Sequence, residues 1–288
     1  MQTLHRLIAA AALAALAVPA GAASVTEIRA ETSLSVDGIE VDAVSDAGAS
    51  GAVTAFGAGG TSAFQNDAGV SAASAGGFFA DGSPANVGTA STGFTQSETN
   101  MTGGAVSYEI DFSLANMFLD LNGDFGGSNA GANPFDDPTS PAVGASLAYS
   151  IELNGSEVFS VGAELFGGNG VYALGDVSGL TGSLLGGSTE VPGGGERFEI
   201  DDLAGTVSLG SFGDGATLEV VARMTVAYIG GAFENAMFAN IGDPNTIATG
   251  PIRALGGPTV PQVPLPASAF LLIGGLAALG AARAFRKS

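Results

Sequence analysis

The sequence has no cysteine and no tryptophan, one histidine (His5) and one lysine (Lys287). Without cysteine there is no disulfide scaffold and no thiolate to act as nucleophile or ligand. Residues 24–261 hold neither an imidazole nor a lysine amine. That stretch cannot assemble a Ser-His-Asp or Cys-His arrangement, form a Schiff base, or offer the nitrogen and sulfur ligands that hold most zinc and copper. No Gly-x-x-x-x-Gly-Lys phosphate loop occurs. Positive charge is scarce as well. All 28 acidic residues fall within residues 24–261, where only Arg29, Arg197, Arg223 and Arg253 oppose them, a formal balance of −24. Nothing there neutralises a run of phosphates, so nucleic acid is excluded as a partner. Sites built from carboxylates alone survive: acid pairs for glycoside hydrolysis, or oxygen cages for Ca²⁺.

The two ends are abundantly patterned. Residues 1–22 run from a short start carrying His5 and Arg6, through an almost pure Ala/Leu stretch from Leu7 to Val18, to Pro19 and Ala20-Gly21-Ala22-Ala23. A basic start, an apolar core and an Ala-x-Ala ending predict a secretory signal peptide, cut by signal peptidase after Ala22 or Ala23. At the other end, Val263-Pro264-Leu265-Pro266-Ala267 precedes an apolar run from Ser268 to Ala282, then Arg283, Arg286 and Lys287. A helix over residues 267–285 would be roughly 28 Å long, about enough to cross a membrane. Its terminal cations would face the cytoplasm and leave everything upstream exported.

Val-Pro-Leu-Pro-Ala, an apolar helix and a short basic tail together resemble the VPLPA variant of the PEP-CTERM sorting signal. The resemblance covers residues 263–288. It implies recognition by an exosortase, a polytopic membrane protease of Gram-negative bacteria that make extracellular polysaccharide. Cleavage would fall near Val263 to Ala267, in the manner of other signals whose hydrophobic tail is removed. Two alternatives stay open. Leu265-Pro266-Ala267-Ser268-Ala269 is similar to a Leu-Pro-x-Thr-Gly sortase signal with Ser-Ala in place of Thr-Gly, and the plainer alternative is a permanent single-pass anchor. Residues 256–266 form a Pro-rich, semi-rigid spacer.

Between the ends the pattern is that of strands, and the expected fold is all-β: a single antiparallel β-sandwich or jelly-roll-like domain over residues 23–255. Glycine, at 46 residues, is about 16% of the chain against a usual ~7%. The clearest strand is Thr217 to Ile229, in which Leu218, Val220, Ala222, Met224, Val226 and Tyr228 share one face. Ser146–Leu153 and Ser156–Val161 flank Asn154-Gly155, a type I′ hairpin signal. A plain two-residue loop would pair Ile151 with Val158 and Tyr149 with Ser160, put Leu147, Tyr149, Ile151 and Val158 on the core face, and set Glu152 opposite Glu157. That opposition implies either an open face or a nearby cation. Residues 43–104 are rich in Gly, Ala, Ser and Thr. Recurring Val53, Phe56, Val70 and Val87 favour thin strands with phenylalanines inside over a flexible segment. One short helical turn is expected within residues 232–241, and no fixed-period repeat occurs.

Asp120-Leu-Asn122-Gly-Asp124 places oxygen side chains at alternate positions like the opening of an EF-hand loop, with Asp136 or Asp137 as further ligands, making Ca²⁺ the one candidate cofactor. The twelfth position is Gly131 rather than Glu, and Asp-Asn-Gly is also ordinary turn composition. The adjacent pairs Asp136-Asp137 and Asp201-Asp202 would point to opposite faces of a strand, which is unlike an acid/base couple. Four tyrosines and no tryptophan make a poor platform for sugar rings. The expected function is therefore non-enzymatic: a structural or adhesive protein at the cell surface or in the extracellular matrix, in an exopolysaccharide setting that the resemblance implies. A Ca²⁺-dependent glycan-binding module and a carboxylate-dependent hydrolase are the alternatives.

Overall fold

The computed structural model describes residues 23–79, 85–123, 133–136, 143–168, 171–186, 195–230 and 235–255. Among them the chain is all β, with antiparallel pairing throughout and one 3-10 turn at Ala58–Gly60. In chain order the strands begin with β1 (Ser24–Val36), β2 (Ile39–Gly48), β3 (Ala52–Gly57), β4 (Thr61–Asn66), β5 (Val70–Phe79) and β6 (Asn86–Thr99). There follow β7 (Val106–Leu114), β8 (Met117–Gly123), β9 (Val143–Leu153), β10 (Ser156–Gly168), β11 (Val171–Ser178) and β12 (Gly182–Gly186). The series ends with β13 (Glu196–Ile200), β14 (Leu203–Phe212), β15 (Thr217–Gly230), β16 (Asn235–Ile247) and β17 (Thr249–Leu255).

These strands build a first sheet in the order β11-β10-β9-β15-β6-β1-β2 and a second in the order β12-β13-β8-β16-β5-β4-β3. A third, β14-β7-β17, has three strands. β1 packs over β3 and β4, and β15 over β5 and β16, so the two large sheets lie face to face. Their inward side chains form one apolar core with those of the third sheet. Phe112 of β7 meets Phe159 at a ring separation of 4.6 Å and Tyr149 at 5.9 Å. Gln96 of β6 fastens β17 to the first sheet, donating to the Gly250 carbonyl at 2.8 Å and accepting from the Ile252 N–H at 3.2 Å.

β15 follows its period-two pattern throughout: Leu218, Val220, Ala222, Met224, Val226 and Tyr228 are all buried. Its Tyr228 ring lies against Gly88, its partner on β6, where an added Cβ would collide with the ring. Part of the high glycine content is thus aromatic packing on bare backbone.

The β9–β10 hairpin turns at Asn154 (φ 49°) and Gly155 (φ 77°), as expected. Leu153 pairs with Ser156 and Glu152 with Glu157. A bulge then corrects the expected register: Ile151 pairs with Phe159, Tyr149 pairs with Val161, and Val158 is turned out to solvent. The physical reason is apolar area. Slipping by one residue puts Phe159 against Phe112 and Tyr149, which removes more surface from water than burying Val158.

Residues 43–104 are largely strands, β2 to β6, as favoured from sequence. The phenylalanines do not all point inward. Phe94 is buried, but Phe56 is 73% exposed and Phe64 half-buried, because Val53 and Ala55 of β3 and Ala63 of β4 occupy the core face instead. The helical turn expected within residues 232–241 is also corrected: residues 235–241 extend in β16, with Met237, Ala239 and Ile241 in the core.

Where β2 turns into β3, the chain passes from the first sheet to the second. Asp42 accepts from the Ala58 N–H at 2.6 Å and Asp46 from the Thr54 N–H at 3.2 Å. These carboxylates occupy donors along the β3 edge that an incoming strand would otherwise use. An Asp42→Ala/Asp46→Ala variant is expected to gain concentration-dependent self-association, read by sedimentation velocity. A sedimentation coefficient unchanged with concentration would mean that the two carboxylates do not guard this edge.

Candidate functional site

Most residues of the expected sorting signal lie outside the described residues: Ala20, Ala22, Val263, Pro264, Leu265, Pro266, Ala267, Arg283, Arg286 and Lys287. Ala23 immediately precedes β1. Asp124 and Asp137 are likewise outside. Of the residues expected to open a calcium loop, Asp120 and Asn122 both belong to the extended strand β8. Asp120 is buried and forms a two-pronged pair with Arg197 of β13, Nε to Oδ1 and Nη2 to Oδ2, each at 2.5 Å. Both of its oxygens thus accept from the guanidinium. Asp136 is exposed in a turn. Asp201 and Asp202 are exposed between β13 and β14, where Asp201 accepts from the Thr181 hydroxyl at 3.1 Å. Among the described residues no three His, Asp or Glu side chains gather to hold a metal ion.

A polar depression of about 450 Å³ lies on the outer face of the first sheet. It is built by cross-strand register. Arg29 of β1, Gly93 of β6 and Arg223 of β15 stand side by side in one row. The two arginine Cα atoms are therefore about 10 Å apart, two strand spacings, with a bare glycine between them as the floor. In the next row Glu27, Thr95 and Val221 align, and Thr26 and Glu219 complete the rim.

The guanidinium groups are held in place. Arg29 donates to Glu27 from Nε at 3.0 Å and to Glu31 from Nη1 at 3.1 Å. Those hydrogen bonds and charges push the Arg29 pKa further up, so it stays cationic at every relevant pH. Arg223 lies 3.6 Å from Glu152, while Glu157 is open to water, so the Glu152–Glu157 opposition sits on an exposed face with a cation beside it. Both pairs are half-exposed, so they contribute little to stability and serve mainly to orient the side chains.

No family model matches the chain, and no curated protein matches it significantly. The site is therefore read from its own chemistry. Arg29 and Arg223 supply hydrogen-bond donors, Glu27 and Glu219 acceptors, and Thr26 and Thr95 both kinds. Donors and acceptors thus alternate around the basin.

Sequence reasoning missed this basin. A signal for it exists in β6, whose outward residues Thr89, Ser91, Thr95, Ser97 and Thr99 carry hydroxyls, with Val87 and Gly93 the exceptions. The Gly/Ala/Ser composition of the region hid that alternation. A smaller hollow of about 300 Å³ opens beside Leu34, Asn86 and Tyr228, whose hydroxyl donates to the Gly59 carbonyl at 3.0 Å.

Proposed function

We propose that the chain is an exported, non-catalytic protein whose body is a single β-sandwich, jelly-roll-like, delivered to the cell surface or extracellular matrix. Signal peptidase cuts near Ala20, Ala22 and Ala23. The apolar helix of residues 267–288 then holds the protein transiently in the inner membrane, with Arg283, Arg286 and Lys287 on the cytoplasmic side. An exosortase-like membrane protease cuts at Val263-Pro264-Leu265-Pro266-Ala267. The observation that carries this reading is the order of motif, apolar run and basic tail in one short segment.

The body adds support. It offers no histidine, cysteine or lysine for catalysis, and each of its four arginines lies beside a carboxylate. Its outward β6 surface is mostly hydroxyl, from Thr89 to Thr99. A hydroxylated, acidic, compact surface suits structural or adhesive work among extracellular polysaccharide, the setting implied by the resemblance.

Intact-mass analysis of the mature protein from its native host tests the proposal. The expected product begins near residue 23 or 24 and ends near residues 263–267. A product still carrying residues 267–288 would mean a permanent anchor. Pro264→Ala/Pro266→Ala is expected to cut processing at least tenfold, seen as accumulation of the longer species. Unchanged processing would remove the motif from the account.

A further inference from the structure

We infer that the Gly93 basin is a binding site for a neutral glycan chain. The inference deepens the adhesive reading above and rests on it for its setting, while the site itself is argued from geometry.

Gly93 lacks the packing reason that explains other glycines in these sheets. At Gly88 an added Cβ would strike the Tyr228 ring, and at Gly76 the Phe238 ring. At Gly93 it would meet only the Arg29 Cβ, at 3.5 Å, an ordinary contact, and the backbone there is not left-handed. Glycine inside a strand weakens the strand and often marks a bulge, a bend, or a site where a ligand or another backbone approaches closely; the β6 ladders on both sides of Gly93 run without a bulge there. Here it keeps a floor open between two oriented guanidinium groups.

The lining selects the ligand. Arg29 and Arg223 against Glu27 and Glu219 make the basin formally neutral, with donors and acceptors interleaved. Sugar hydroxyls donate and accept along their whole length, which matches that alternation and engages the chain by its polar edges rather than by ring stacking, for which the lining has no aromatic side chain. An anionic polymer meets the surplus negative charge of the body. An extended peptide cannot add as a strand, because β6 is already paired with β1 and β15 on its two sides. Nor does a peptide find apolar anchors, since Val221 is the one aliphatic side chain of the lining. About 450 Å³ falls within the ordinary range for small-ligand sites, ~300–1,000 Å³.

The test is affinity electrophoresis of the full chain in mild detergent, at physiological salt. Separate gels contain dextran, laminarin or galactomannan, all neutral, or alginate as the anionic control. The native protein is expected to be retarded by at least one neutral glycan and not by alginate. Gly93→Leu, which fills the floor, and Arg223→Gln are each expected to weaken retardation at least tenfold. Gly93→Ala, whose Cβ has room, keeps the comparison meaningful if the leucine variant fails to fold; it should melt like the native protein and bind more weakly. Retardation unchanged in Gly93→Ala and Arg223→Gln, retardation by alginate alone, or none in any neutral gel would overturn the inference. A protein sorted and cleaved normally but never retarded removes the basin and leaves the sorting proposal standing. A retarded protein found uncleaved in its host does the reverse.

Discussion

Replacing Asp120 with alanine is expected to destabilise the protein by about 3–5 kcal/mol, because it removes one partner of a buried ion pair. Asp120 is 4% exposed, and its carboxylate takes both prongs of the Arg197 guanidinium. The guanidinium also lies over the Phe118 ring, 4.7 Å from its centre. Glu199, at 3.4 Å and on the exposed side, is a poor substitute counter-charge because water already solvates it. Removing the carboxylate therefore leaves a cation in a place built for a neutral pair. Taking away both charges should cost much less: Asp120→Leu/Arg197→Met is expected to recover most of the loss, since well-packed apolar residues often match a buried pair. Urea unfolding midpoints of the two variants check both halves. A loss below about 1 kcal/mol in Asp120→Ala, the range of exposed pairs, would show that the pair is effectively solvated.

Glu98→Gln should act in the opposite direction and stabilise the protein at neutral pH, because the glutamine amide is isosteric with the carboxylate and carries no charge to bury. Glu98 points inward from β6, is 6% exposed, and its Oε2 has no hydrogen-bond partner. Burial pushes its carboxyl pKa up from the ordinary value. A carboxyl raised on folding binds its proton more tightly in the folded chain than in the unfolded one. Stability is thus fully present below the ordinary carboxylate range and is lost as pH rises toward the folded value. Glutamine removes that dependence. The difference between variant and wild type should be small near pH 4 and widest at pH 7, read from thermal midpoints across that span. The nearby Tyr108 phenol is pushed up first by burial and then by the Glu98 charge. An equal gain at pH 4 and pH 7 would mean that the carboxyl does not titrate in this window.

What was legible in the sequence was local. The six inward side chains of β15 alternate without interruption, so their face follows from the chain's own period. Asn154-Gly155 announces its turn because both positions need positive φ. The bulge at Val158 was not legible, since it is decided by Phe112, which belongs to another sheet. Asp120 read as a turn because its neighbours are Asn, Gly and Asp, whereas its actual partner, Arg197, is 77 residues away and is brought near only by the pairing of β8 with β13. Gly93 was one glycine among 46, and only the empty space above it distinguishes it from those that make room for a ring.

Each of the four arginines between residues 24 and 261 lies beside a carboxylate of its own sheet. The remaining negative groups have no fixed counter-charge among the side chains of that stretch, so their neutrality must come from mobile cations. Many copies held together in a hydrated layer would retain those cations by Donnan equilibrium and draw in solvent with them. Such a layer would swell in dilute medium and contract in brine.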